Sequence, residues 1–212
     1  MSLTHKIYSL GATLTPRPYW PHGKVKAIFM YDFKNHNCHL EYSFLRTLYS
    51  DYIDIFNLSK NEDTLSNLEA NDKLILIGHA GRGGFLGQHY RGREMQATSQ
   101  PAYIVTKLHS LGLRNVGVIK FHACFTGNGN FLYDIRASLI TSGINFSYLC
   151  GPKGNYNYYP FTKRFVSNKW KNIVSIPKIR NQYKIIEGNV SKNFAGTHYQ
   201  GRDNPSFTIE RF

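Results

Sequence analysis

The chain of 212 residues carries 26 Lys+Arg against 13 Asp+Glu, a formal net charge of +13, with 42% hydrophobic and 18% charged residues. This is one domain's worth of sequence with apolar residues enough for a core that needs no disulfide or metal staple, and it excludes a disordered or collagen-like chain. The longest apolar runs, Leu74 to Ile77 and Phe146 to Cys150, fall far short of the ~20 residues of a membrane helix, and residues 1–6 lack the apolar stretch of a secretory signal.

Residues 1–23 read as an irregular lead-in, with three prolines and a glycine between positions 12 and 23. Residues 24–150 read as an α/β core. Val25, Ala27, Ile28, Phe29 and Met30 make a strand-like run, and Phe44, Leu45 and Leu48 have helical spacing, with a short strand expected after them. Leu74-Ile-Leu-Ile77 is a continuous apolar run ended by Gly78, the pattern of a strand covered on both faces. A helix follows, with Ser99 as its cap, Pro101 in its first turn and Ile104, Val105, Leu108 and Leu111 as its stripe. A second buried strand spans 116–122. Phe131, Leu132, Ile135, Leu139 and Ile140 make another amphipathic helix stopped near Gly143, and a third strand spans 145–150. This alternation predicts a mostly parallel sheet with right-handed crossovers. Residues 151–212 differ: the runs 161–166, 173–176 and 183–186, separated by Pro, Gly and Asn, predict hairpins or a β-flap. The whole is read as one three-layer α/β domain with a basic β-appendage.

Cys38, Cys124 and Cys150 are an odd and widely spaced set, which points to free thiols in a reducing, cytosolic compartment rather than a disulfide framework. The charge is uneven, with 15 basic and 10 acidic residues before position 150 but 11 and 3 from there on. Such a field favours a polyanionic partner, although a solvated basic surface that keeps the chain soluble is the simplest account of it.

In an open parallel sheet, ligands bind at the carboxyl ends of the strands. Two such ends carry reactive side chains: Leu74-Ile-Leu-Ile-Gly-His79-Ala-Gly81 and Val116-Gly-Val-Ile-Lys-Phe-His-Ala-Cys124. A deprotonated thiol is a strong nucleophile, a neighbouring imidazole can manage its proton, and glycine-rich corners let backbone amides approach an oxyanion. A buried cysteine or a loop histidine alone is ordinary; the pair, 45 residues apart with one helix between, is what carries weight. Cys150 also ends a strand but has no histidine at a comparable corner, and is read as core or wall.

The two strand ends resemble those of the caspase-like (clan CD) cysteine peptidases, in which an apolar strand ends in His-Gly and a later one in Ala-Cys or Gly-Cys. The resemblance covers about 73–150 and departs at Ala80, where the family usually has glycine. It implies that Cys124 attacks a peptide carbonyl, that His79 protonates the leaving amine, and that amides near Ala80, Gly81 and Cys124 hold the oxyanion. Within that clan the chain is most similar to the inositol-hexakisphosphate-activated protease domains of large bacterial toxins. That likeness implies a basic β-flap that takes the polyphosphate, with Lys24, Lys26, Lys73, Lys178, Arg180, Lys184 and Lys192 as candidates. It further implies either self-processing or cleavage of another protein in trans, as by an effector delivered to a host cytosol.

Three rival readings are weighed against it. An α/β-hydrolase would use His79-Ala-Gly-Arg-Gly-Gly84 as its oxyanion loop, but its nucleophile elbow needs glycines where His122 and Thr126 stand, and its acid and base would fall to Asp134 and His198. A non-enzymatic binder of nucleic acid or anionic lipid would stack its ligand on Tyr156, Tyr158, Tyr159, Phe161, Phe165, Trp170 and Tyr183 among lysines and arginines. Such a binder would show steep salt dependence and indifference to Cys124. A metal site is the weakest: His36, Cys38 and His39 have no second ligand pair at zinc-finger spacing, and His122 and Cys124 with His79 fit a cleft better. No metal is expected.

Overall fold

The computed structural model describes residues 20–30, 45–54, 63–81, 84–86, 100–157, 165–167, 183–194, 209–210 and 212. In chain order its elements are β1 (Val25–Phe29), a helical turn at 45–48, β2 (Tyr52–Asp54), β3 (Lys73–Ile77), the hairpin β4 (His79–Gly81) and β5 (Gly84–Leu86), and α1 (Pro101–Ser110). Then come β6 (Asn115–His122), α2 (Phe131–Thr141), β7 (Asn145–Pro152), the hairpin β8 (Asn155–Asn157) and β9 (Phe165–Ser167), β10 (Tyr183–Glu187) and β11 (Ile209–Glu210).

Seven strands form one sheet in the order β11-β10-β7-β6-β3-β1-β2. The five from β2 to β7 are mutually parallel, β10 runs antiparallel to β7, and β11 is parallel to β10. Numbered by appearance, the parallel strands follow the doubly wound order 2-1-3-4-5, in which sheet growth reverses direction between β1 and β3. One face packs against α1 and α2 through Ile104, Val105, Leu108, Leu132, Ile135 and Leu139, which meet Ile28, Leu74, Leu76, Ile119, Phe121 and Leu149 of the sheet. The other face is covered over β1 and β3 by Leu45, Leu48 and Tyr49, and over β6, β7 and β10 by Trp20 and Phe194. The expected α/β architecture with a mostly parallel central sheet is therefore the observed one, and the cover on both faces is compatible with three layers.

α1 and α2 stop in the same way. At the end of α1 the Gly112 N–H donates to His109 and that of Leu113 to Leu108; at the end of α2, Gly143 donates to Ile140 and Ile144 to Leu139. Gly112 and Gly143 have φ of 90° and 70°, so each closes a Schellman motif in a conformation that costs other residues energy. The stop at Gly143 agrees with the sequence reading.

Four expectations need correction or lie elsewhere. The cap position of α1 is Gln100, without a side-chain cap bond, and Ser99 lies outside the described residues, as does Phe44. Ile140 is 39% exposed, one position off the buried stripe of α2. The apolar run of β3 leads first into the β4–β5 hairpin rather than directly towards a helix. Most substantially, the run at 183–186 is no appendage: β10 pairs with β7 along Tyr183↔Pro152 to Glu187↔Tyr148, because Ile185 and Ile186 are fully buried in the two layers flanking the sheet. Among the described residues of the tail, β8 and β9 form a separate hairpin, and residues 161–164 and 173–176 lie outside the described residues. No helix among the described residues is long and apolar enough to cross a membrane.

Asp72 sets the start of the central ladder. Its buried carboxylate accepts the N–H of Lys24 at 2.7 Å and of Glu69 at 2.9 Å, while its carbonyl accepts both Gly117 and Val118 N–H groups. A Cβ on Gly117 would stand 2.8 Å from the Ala70 carbonyl oxygen and 2.9 Å from that of Asp72, so only glycine fits this junction. Asp72→Ala is expected to cost about 3 kcal/mol, the range of losing buried bonds to a charged acceptor. Tyr103→Ala, on the exposed side of α1, should stay within about 0.5 kcal/mol of wild type. Urea unfolding of both variants checks the contrast.

Candidate active site at the carboxyl ends of β3 and β6

β3 and β6 are neighbouring parallel strands whose last paired positions are Ile77↔His122. The Gly78 N–H continues the ladder by donating to the His122 carbonyl at 3.3 Å. His79 and Cys124 are each two residues beyond the final pair, so the register brings them to one edge of the sheet on strands about 4.8 Å apart. Their flanking alanines behave alike: Ala80 and Ala123 both pack into the layer beneath α1 and α2. By strand alternation, His79 turns away from that layer, towards the face that carries Tyr49. The extra methyl of Ala80, the departure from the family pattern, is thus taken up by the core. Both His79 and Cys124 are half-buried, whereas Cys150 is fully buried between Trp20, Tyr148 and Ile185.

The oxyanion assignment divides. Ala80 and Gly81 lie in β4, paired with Phe85 and Gly84 of β5. Successive N–H groups of an extended strand point to opposite sides, so β4 can aim one of these two amides at a site beside Cys124, not both.

The backbone after Cys124 is distorted. Phe125 has φ 58°, a left-handed conformation that costs a bulky residue on the order of 1–2 kcal/mol. Its N–H donates to the Gly154 carbonyl at 2.9 Å, and the Gly127 N–H donates to Pro152 at 2.7 Å. The buried Thr126 hydroxyl donates to the Ala123 carbonyl at 3.1 Å. A Cβ on Gly127 would collide with the Gly151 carbonyl, and one on Gly151 would sit 2.8 Å from Thr126 Oγ1. The turn that carries Cys124 is therefore clamped onto the end of β7, and strain of this kind concentrates at functional sites.

Beneath the site, β6 places Lys120 and His122 on the face opposite α1 and α2. His122 is fully buried, with Nδ1 3.0 Å from the hydroxyl of buried Tyr49, and the half-buried Lys120 ammonium lies 4.6 Å from the Tyr183 ring centroid. Tyr49, Phe125 and Lys120 were not singled out from the sequence. The signal for Lys120 was present, since polar residues at 120, 122 and 124 interrupt an apolar strand with period two. Nothing local marks Tyr49, 73 positions away from its partner.

The described basic candidates fall at two ends of the sheet: Lys24, Lys26, Lys73 and Lys192 near the amino ends of β1 and β3, and Lys184 near the carboxyl end of β7. Lys26 alternates with Val25 and Ala27 and pairs with Asp51 at 3.6 Å, while Lys73 lies on the opposite face over the Trp20 ring at 4.6 Å. Lys192 donates to Asn71 Oδ1 at 2.7 Å, beside the amino end of β3, and Lys24 is exposed at the same edge. Lys184 is at the other end of the sheet, 3.2 Å from the Tyr133 hydroxyl, 3.4 Å from the Gly129 carbonyl and 3.9 Å from Glu210. Lys178 and Arg180 lie outside the described residues, as do His36, Cys38, His39 and His198; Asp134 is exposed on α2. Among the described residues, no group of three or more His, Cys, Asp or Glu is arranged to hold a metal. No family model, curated protein or solved structure matches the chain.

Burial makes a direct prediction about the thiols. A brief pulse of iodoacetamide on the native protein should label Cys124 and leave Cys150 unmodified until denaturant is added, as read by peptide mass mapping. Native labelling of Cys150 ahead of Cys124 would reverse the assignment of the accessible thiol.

Proposed function

We propose that the chain is a cysteine endopeptidase of the caspase-like kind, with Cys124 as nucleophile and His79 as its proton-transfer partner. The observation that carries this reading is the β3–β6 register, which gives the thiol and the imidazole equal overhang at one sheet edge. Two further features support it: the left-handed turn immediately after Cys124, and the core packing of Ala80 and Ala123, which leaves their reactive neighbours at the edge.

In this scheme the Cys124 thiolate adds to a peptide carbonyl, and the resulting oxyanion is held by the Cys124 amide and one amide of β4. Collapse breaks the C–N bond, and His79 gives its proton to the departing amine. Water, deprotonated by His79, then attacks the thioester and releases the acid and the free thiol. The substrate is a peptide segment, in this chain or another. None of these steps draws on a polyphosphate.

The test compares wild type, Cys124→Ala, His79→Ala and Cys150→Ala against a diverse peptide mixture and against the chain itself, with products identified by mass spectrometry. Wild type and Cys150→Ala are expected to cleave, whereas the other two should lose about 10³-fold or more in kcat/KM while keeping their unfolding midpoints. Cleavage that survives Cys124→Ala would sink the proposal, as would a folded wild type that cleaves nothing and has an unreactive Cys124.

A further inference from the structure

The candidate dyad sits directly above a buried polar pair that the scheme so far does not use. His122 is the last residue of β6, is fully buried, and lies opposite Ile77 in the ladder, two positions before Cys124. Its Nδ1 is 3.0 Å from the hydroxyl of Tyr49, which is itself 2% exposed and packs with Leu45, Leu48, Ile75 and Ile77. An imidazole in an apolar layer loses its hydration and needs hydrogen bonds in return, whereas a leucine or phenylalanine at the same point would carry no such cost. A polar pair held in a core gains its value from fixing one arrangement among several of similar packing energy.

We infer that Tyr49 and His122 are positioning residues for the Cys124–His79 pair: the tyrosine hydroxyl fixes the rotation of the His122 ring, and the fixed ring holds the end of β6 in the register that sets Cys124 against His79. The inference rests on the peptidase reading of those two residues. It deepens that reading by naming the support under the site and the long-range contact that builds it. Whichever group donates the proton in the Tyr49–His122 bond, one ring nitrogen is committed to the hydroxyl, so the ring cannot turn without breaking it. The pair also joins the helical turn at 45–48 to the central strand, which is why Tyr49 comes from a segment far from either reactive residue in sequence.

The experiment measures the second-order rate of Cys124 alkylation by iodoacetamide, localised by peptide mapping, together with the thermal midpoint and, on a cleaved peptide, kcat and KM separately. The proteins are wild type, His79→Ala, Tyr49→Phe, His122→Asn and His122→Leu. Tyr49→Phe removes only the hydroxyl and is expected to slow alkylation roughly tenfold and lower kcat with KM unchanged, the signature of a small misplacement of reacting groups. His122→Asn, which offers the hydroxyl a polar partner, should retain more reactivity than His122→Leu. If Tyr49→Phe and both His122 variants stay within twofold of wild type while His79→Ala slows alkylation, the dyad stands and the positioning role is overturned. A lowered midpoint at wild-type reactivity likewise reduces the pair to a packing contact. If His79→Ala leaves the rate unchanged, the dyad itself fails and this inference with it. Should Tyr49→Phe not fold, the comparison of His122→Asn with His122→Leu decides: equal rates overturn the inference, and a slower His122→Leu supports it.

Discussion

The parallel ladder between β3 and β6 is the constraint on which the remainder of the molecule depends. It is anchored at its start by the Asp72 carbonyl, which receives two consecutive amides of β6, and it runs without interruption to the Gly78–His122 bond at the far end. A slip of one residue would invert the faces of β6 and send Ile119 and Phe121 away from α1 and α2. The core therefore enforces the register, and the register in turn determines which residues emerge together at the carboxyl edge. Packing and chemistry are coupled through a single strand pair.

The face of β6 turned away from the helices carries a different balance. Lys120 and His122 take positions that apolar side chains would fill at less cost, and Phe125 adopts a backbone conformation unfavourable to its side chain. These departures from ordinary core composition cluster within six residues of one strand end. β1 and β3, by contrast, are conventional: Ala27, Ile28 and Phe29 after Lys26, and Leu74, Leu76 and Ile77 after Lys73, are completely buried with no polar residue between them.

The parts of this architecture that rest on short-range pattern were legible in the sequence. The apolar runs of β3, β6 and β7, the buried stripe of α1 and the glycine stop of α2 all follow from periodicity and from the conformational freedom of glycine. The corner residues His79 and Cys124 could be placed at strand ends for the same reason. What was not legible involves distant partners. Tyr183–Glu187 has the same local pattern as a hairpin strand, and only the burial of Ile185 and Ile186 against β7 shows that it belongs to the main sheet. The lysines could be counted but not aimed, because the face a strand residue occupies is fixed by its neighbours; Lys26 and Lys73 thus sit back to back rather than side by side. Tyr49 and Phe125 were invisible for related reasons, one being a contact across 73 positions and the other a dihedral angle that the turn's clamp to β7 imposes.

The antiparallel placement of β10 has a consequence for how the molecule is assembled. Until residues 183–187 have been synthesised, β7 presents a naked row of amides and carbonyls along a predominantly apolar strand, which is the template on which chains join wrongly. The strand that covers it arrives more than thirty residues later and closes a long loop to do so, a slow event compared with the local helices. During translation the nascent sheet is thus most vulnerable to aggregation in the interval between β7 and β10, and a late antiparallel strand acts as the seal on an otherwise completed parallel core.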